Sequence, residues 1–193
     1  TRTDLLNLLI KDPAHTPKSR HTDSQPSIER NRNMTNLLVT SLTMEMLIIL
    51  QNIGEIAQEN GYTAYAVGGF VRDLIRHTAN TDLDIVIEGD GVHFATELAK
   101  KLKGQARIHD KFKTAVVKLP DGFKIDVATA RLEYYEYPAA MPTVELSSIK
   151  LDLFRRDFTI NALALHLNPD KFGILVDFFN CQNDIRDKQI RVL

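Results

Sequence analysis

The sequence has one cysteine, Cys181, among 193 residues. It can close no disulfide within the chain, and such scarcity fits a reducing compartment such as the cytoplasm. As a single residue it reads as a small buried apolar side chain. No run of about 18 consecutive apolar residues occurs, and the best candidate, around Met46 to Leu50, is too short to cross a bilayer. Basic excess is missing as well: 24 Lys and Arg stand against 25 Asp and Glu, a formal net charge of -1. Such a balance gives no surface able to hold an RNA backbone unaided, so most contact with any nucleic acid is expected outside this chain. Internal repeats and a cationic, apolar signal pattern are also missing. Thr1 stands where a methionine would start a chain, and Ile190 to Leu193 still reads as strand. Both ends are therefore taken as positions within a longer protein.

What is present is ordinary for a globular protein, with 44% apolar and 25% charged residues. The length suits one domain with appendages. Residues 1–10 begin with a cap candidate and run on through Leu5, Leu6, Leu8 and Leu9 as a short helix without a packing partner. Lys11 to Asn33 is rich in Pro, Ser, His, Asn and Arg, so residues 11–35 are assigned as a linker and residues 36–193 as the main domain. Thr43 is placed to cap a helix with Met46, Ile49, Leu50, Ile53 and Ala57 on one face, stopped at Asn60-Gly61. A short apolar strand at Tyr65 to Val67 leads into Gly68-Gly69, with a helix from Phe70 to Arg76.

Asp82 to Ile87 alternates, with Leu83, Ile85 and Ile87 on one face and both aspartates on the other. A helix is expected over Gly91 to Lys103, and strands over Ala106 to His109, Thr114 to Leu119 and Phe123 to Val127. Pro120-Asp121-Gly122 turns the last two into a hairpin. Tyr134 to Glu145 reads as a mobile loop, and Ser147 as the cap of a helix through Ile149 to Phe154. Leu163 to Leu167 and Gly173 to Phe178 suit strands, although Phe158 to Leu165 could also continue a helix.

Four features share one chemistry. Transfer from a nucleoside triphosphate needs an activated hydroxyl, a screened triphosphate and alignment of the two, which divalent cations held by close carboxylates supply. Asp82 and Asp84 lie about 6.6 Å apart along an ideal strand, close enough to share a hard cation. Asp126 falls on the polar side of another strand and offers a third carboxylate, a cluster that repels itself unless a cation is bound. Gly68 and Gly69 let backbone amides approach a phosphate, and Arg72 follows in the next helix as a phosphate clasp. Arg156, Asp157 and Asn161 offer a second arginine with short polar groups around it. Each feature alone also fits a tight turn or a solvated charge; their joint occurrence is far less ordinary.

Four segments together resemble the class II tRNA nucleotidyltransferases and bacterial poly(A) polymerases. They are VGGFVRD (Val67 to Asp73), TDLDIVIE (Thr81 to Glu88), IDVATAR (Ile125 to Arg131) and RRDFTINA (Arg155 to Ala162). The resemblance implies an α+β, polymerase beta-like nucleotidyltransferase fold, a small mixed sheet with flanking helices. It implies Asp82 and Asp84 as Mg2+ ligands, with Asp126 completing the catalytic carboxylates. Gly69, Arg72 and Arg156 would touch the nucleotide, with Asp157 and Asn161 framing its sugar and phosphates. ATP or CTP and an RNA 3′ end, most simply that of a tRNA, are the implied partners, and a helical neck beyond this chain would read the incoming base. The opening TRTDLL is similar to the end of a CBS domain, with Thr1 and Asp4 at the ribose-facing part of an adenosine-nucleotide motif. Two rivals are a nucleotide-sensing regulatory module on the same fold and a small-molecule nucleotidyltransferase. The three intact carboxylates disfavour the first, and the VRD and RRDFTINA segments disfavour the second.

Overall fold

The computed structural model describes residues 32–134 and 143–193. The helix and CBS-like resemblance assigned to residues 1–10, and most of the linker, lie outside them. In chain order the strands are β1 (Arg32–Asn33), β2 (Thr63–Val67), β3 (Leu83–Glu88), β4 (Gln105–His109), β5 (Thr114–Lys118), β6 (Lys124–Thr129), β7 (Arg131–Tyr134), β8 (Thr143–Leu146), β9 (Ala164–His166) and β10 (Ile174–Val176). The helices are α1 (Thr35–Ser41), α2 (Met44–Glu59), α3 (Gly69–Ile75), α4 (Gly91–Lys101), α5 (Ile149–Phe154) and α6 (Cys181–Arg186).

Eight strands form one mixed sheet in the order β1-β10-β9-β2-β3-β6-β5-β4. Only β3 and β6 run parallel, and their register sets Leu83 beside Ile125, Asp84 beside Asp126 and Ile85 beside Val127. Alternation explains the rest: Leu83, Ile85, Ile87, Ile125 and Val127 are buried, while Asp84 and Asp126 stand on the opposite, accessible face. The buried face is covered by α2 and α4. Thr43 caps α2 by accepting from the Met46 amide, and Asp90 caps α4 by accepting from Val92 and His93 at 3.0 Å each. Gly54 lets α2 press onto the segment after β9, since a Cβ there would lie 1.8 Å from the Leu167 carbonyl oxygen.

Several expectations are corrected. Arg32 and Asn33 pair with β10 as an edge strand, and the Met34 amide donates to Gly173 at 2.7 Å. The sheet thus begins within the stretch assigned to the linker. Tyr134 and Thr143 to Glu145 are strand residues of a β7–β8 hairpin rather than loop, while the middle of that loop, 135–142, is outside the described residues. Ser148, not Ser147, is the N-cap residue of α5, and its side chain makes no capping bond. The Glu88 carboxylate at the end of β3 instead accepts from the Ile149 amide at 2.6 Å. After Phe158 the chain makes one short 3₁₀ turn and enters β9, so the helical alternative fails. Near the end, Val192 forms a lone bridge to Phe158 rather than a strand.

Candidate active site

The site is assembled where the parallel pair meets the turn between β2 and α3. Asp84 and Asp126 occupy neighbouring register positions on strands spaced about 4.8 Å apart, so their carboxylates project side by side. Asp82 stands one residue before β3, near enough for its charge to act on both. Partial burial raises the Asp84 carboxyl above the usual range, Asp126 and Asp82 push it further, and the Arg156 guanidinium pulls it back. Asp126 is raised by partial burial and then by Asp82, against a small opposing pull from Lys124.

Gly68 leaves β2 with φ 67° and ψ -132°, backbone that favours glycine. A Cβ there would lie 3.2 Å from Arg156 Nη1 and 3.7 Å from Asp84 Oδ2. The first glycine of the pair therefore keeps open the gap between the carboxylate and the guanidinium. Gly69 faces a second guanidinium: its Cβ would meet Arg72 Nη2 at 3.6 Å and Asn80 Nδ2 at 3.8 Å. A cleft of about 380 Å³ lies over this ground, bounded by Val67, Asp84, Asp126, Thr114, Arg155 and Arg156. Another cleft, about 430 Å³, reaches Asn80 and Thr81 from the side of Ser41, Phe70 and Leu74 but contains none of the carboxylates. The chemistry belongs to the smaller one.

Both arginines are held by buried acids that the sequence reading passed over. Asp73 accepts from Arg72 Nε and Nη2 at 2.9 Å each, a bidentate grip that lowers the Asp73 carboxyl. Asp152, fully buried on α5, accepts from Arg156 Nη2 at 3.1 Å and from Arg155 Nη2 at 2.6 Å. Its spacing to the two arginines, three and four residues, was the available signal. Asn161 joins the systems: its Oδ1 accepts from Arg72 Nη1 at 2.8 Å and its carbonyl from Arg156 Nη1 at 3.3 Å. Asp157 is not brought into this frame. Its side chain is exposed and makes no hydrogen bond among the described residues, and its carbonyl accepts from the Leu193 amide.

The carboxylate set fits a hard divalent cation, because side-by-side acids with raised carboxyls gain from a bound positive charge. Among the described residues no three His, Cys, Asp or Glu side chains close into a metal cage.

The eight-strand mixed sheet with flanking helices is the polymerase beta-like fold of nucleotidyltransferases. The family described as Poly A polymerase head domain matches residues 64–191. The chain belongs to that family, as a head domain of the class II tRNA nucleotidyltransferase type. It is 44% identical to an A-adding tRNA nucleotidyltransferase of Geobacter sulfurreducens, a match covering 100% of this chain and 22% of that protein. A second A-adding tRNA nucleotidyltransferase, from Halalkalibacterium halodurans, is 41% identical over 83% of this chain and 38% of its own length. The Thermotoga maritima CCA-adding enzyme, solved in complex with tRNA, superposes with a TM-score of 0.75 at 42% identity, covering 84% of this chain and 36% of that one. The chain thus spans between about a fifth and two fifths of the length of these proteins. Among the described residues no helix is long and apolar enough to cross a membrane.

Proposed function

We propose that this chain is the catalytic head of an enzyme that transfers nucleotides from ATP or CTP to the 3′-hydroxyl of tRNA. The observation that carries the reading is the register match of Asp84 and Asp126, with Gly68 and Arg156 converging over Asp84. Asp82 and Asp84 are the residues to hold Mg2+, with Asp126 beside them. When bound, the metal supplies activation of the attacking hydroxyl and neutralisation of the triphosphate. Arg72 and Arg156 bind triphosphate oxygens, and their anchors Asp73 and Asp152 fix the directions in which the guanidiniums point. Gly68 leaves room for the phosphates between Arg156 and Asp84. Asn161, bonded to both arginines, holds their spacing. Two A-adding relatives favour ATP as the donor, and the RNA is held chiefly by parts of the protein outside this chain.

The test is Mg2+-dependent incorporation of labelled ATP or CTP into tRNAs ending before, within and after CCA, by the full-length protein. Asp84→Ala is expected to lower incorporation at least about 100-fold, the scale of losing a group that stabilises transition-state charge. Its fold should be retained, since the change removes a carboxylate that its neighbours repel. Substantial incorporation by Asp84→Ala would overturn the reading.

A further inference from the structure

Asp84 and Asp82 are fixed by different means. Asp84 sits inside the β3–β6 ladder, whereas Asp82 precedes its first registered pair, Leu83 with Ile125. The Asp82 amide instead donates to Asn80 Oδ1 at 2.7 Å. The other end of the same side chain, Nδ2, donates to Asp73 Oδ2 at 2.8 Å. Residues 76–79 are exposed, with the Thr78 amide donating to the Asp73 carbonyl at 2.9 Å, and Asn80 is half-buried and supplies the side-chain tie before β3.

We infer that Asn80 is a positioning residue that locks the metal-side aspartate, Asp82, to the guanidinium on the triphosphate side, Arg72, through the Asp73 carboxylate. The inference rests on the nucleotidyl-transfer reading above. Its physical basis is that one side chain must accept from a backbone amide and donate to a carboxylate at once. A primary amide does both; an aspartate at position 80 would set a second negative charge against Asp73. Asp73 suits the hub because it is 7% exposed, so its oxygens need protein donors. It receives Arg72 twice at 2.9 Å, Arg76 at 3.4 Å and Asn80 at 2.8 Å. From Arg72 the connection runs on through Asn161 to Arg156, whose charge acts on Asp84. The bonds therefore form an arc around the site with Asp82 at one end and Arg156 at the other. The residues that hold the cation and those that hold the phosphates are kept in one frame.

The experiment uses the full-length protein with Asn80→Ala and Asn80→Ser. Four quantities are read: Tm, Mn2+ affinity of the RNA-free protein, the Mg2+ concentration for half-maximal rate, and kcat with KM for ATP. Asn80→Ala should weaken Mn2+ binding and lower kcat by about 10–100-fold, as loss of an outer-shell partner does. Tm and the KM for ATP should change little, because Asn80 follows an exposed loop and both ends of its side-chain amide are taken up by Asp73 and the Asp82 amide. Asn80→Ser keeps a hydroxyl able to accept from the Asp82 amide and should recover part of the Mn2+ affinity. Wild-type Mn2+ affinity and kcat in Asn80→Ala would overturn the inference. So would a loss matched by a fall in Tm with serine no better than alanine. If wild type transfers nucleotide and Asn80→Ala is unaffected, the positioning role alone fails. If wild type transfers none while Mn2+ binding still depends on Asn80, the transfer reading fails and the positioning role stands.

Discussion

At the scale of single residues, the fold keeps two kinds of titratable group away from their ordinary behaviour, and burial, the main cause of both, moves them in opposite directions because it disfavours whichever form is charged. Asp84 and Asp126 are raised because partial burial and neighbouring carboxylates disfavour charge, Asp126 and Asp82 acting on Asp84 and Asp82 on Asp126, a condition that a bound cation would relieve. His166 lies apart from these carboxylates: it is 7% exposed on β9, its ring lies 4.4 Å from that of Tyr65, and its Nδ1 has no hydrogen-bond partner among the described residues. Burial pushes its imidazole down to about 4, with Lys171 adding to the effect. Between pH about 6.5 and about 4 the unfolded chain takes up a proton that the folded chain refuses. The stability His166 contributes is therefore complete above the unfolded value and lost as pH falls through that window, by up to ~3 kcal/mol. Urea unfolding at pH 7 and pH 5 measures the loss. His166→Phe, which keeps a ring against Tyr65 and cannot take up a proton, should flatten the dependence. An unchanged slope in that variant would assign the acid sensitivity to other groups.

At the scale of elements, the β2–α3 turn shows why two adjacent glycines are not equivalent. Gly68 holds a backbone conformation with φ 67°, whereas Gly69 is already helical and a Cβ there meets nothing nearer than 3.6 Å. Gly68→Ala should cost roughly 1–3 kcal/mol in strain and displace Arg156, lowering both Tm and incorporation. Gly69→Ala should leave Tm unchanged or slightly higher, because alanine favours helix. Equal Tm losses in the two variants would contradict this division. The turn was legible in the sequence, as were β3, β6 and the β5–β6 hairpin, because alternation and the Pro120-Asp121-Gly122 turn are local signals. The parallel pairing of β3 with β6 was not, since strands some forty residues apart carry no register of their own. The family motifs implied only that Asp126 joins Asp82 and Asp84 as a third carboxylate. The anchors Asp73 and Asp152 were missed because a buried acid in a short helix looks like a solvated charge until its arginine partners are located. The Glu88 cap of α5 bridges 61 positions in sequence and left no local trace.

At the scale of the whole molecule, charge decides what the head does alone. The net charge of the whole 193-residue chain is -1, and the arginines at the site are committed inward, Arg72 to Asp73 and Arg155 and Arg156 to Asp152. Few cations near the cleft therefore remain to displace counterions from an RNA backbone, the main source of sequence-independent affinity. A triphosphate differs, because it is small enough to sit between two anchored guanidiniums and brings its own metal. This chain alone should accordingly bind tRNA no more tightly than about 10⁻⁶–10⁻⁴ M at physiological salt, the non-specific range, with a shallow salt dependence. It should still show Mg2+-dependent binding of ATP. Filter binding of labelled tRNA across a salt series, beside nucleotide binding by calorimetry, separates the two. Nanomolar tRNA affinity with a steep salt slope would place the RNA-holding surface within the head itself.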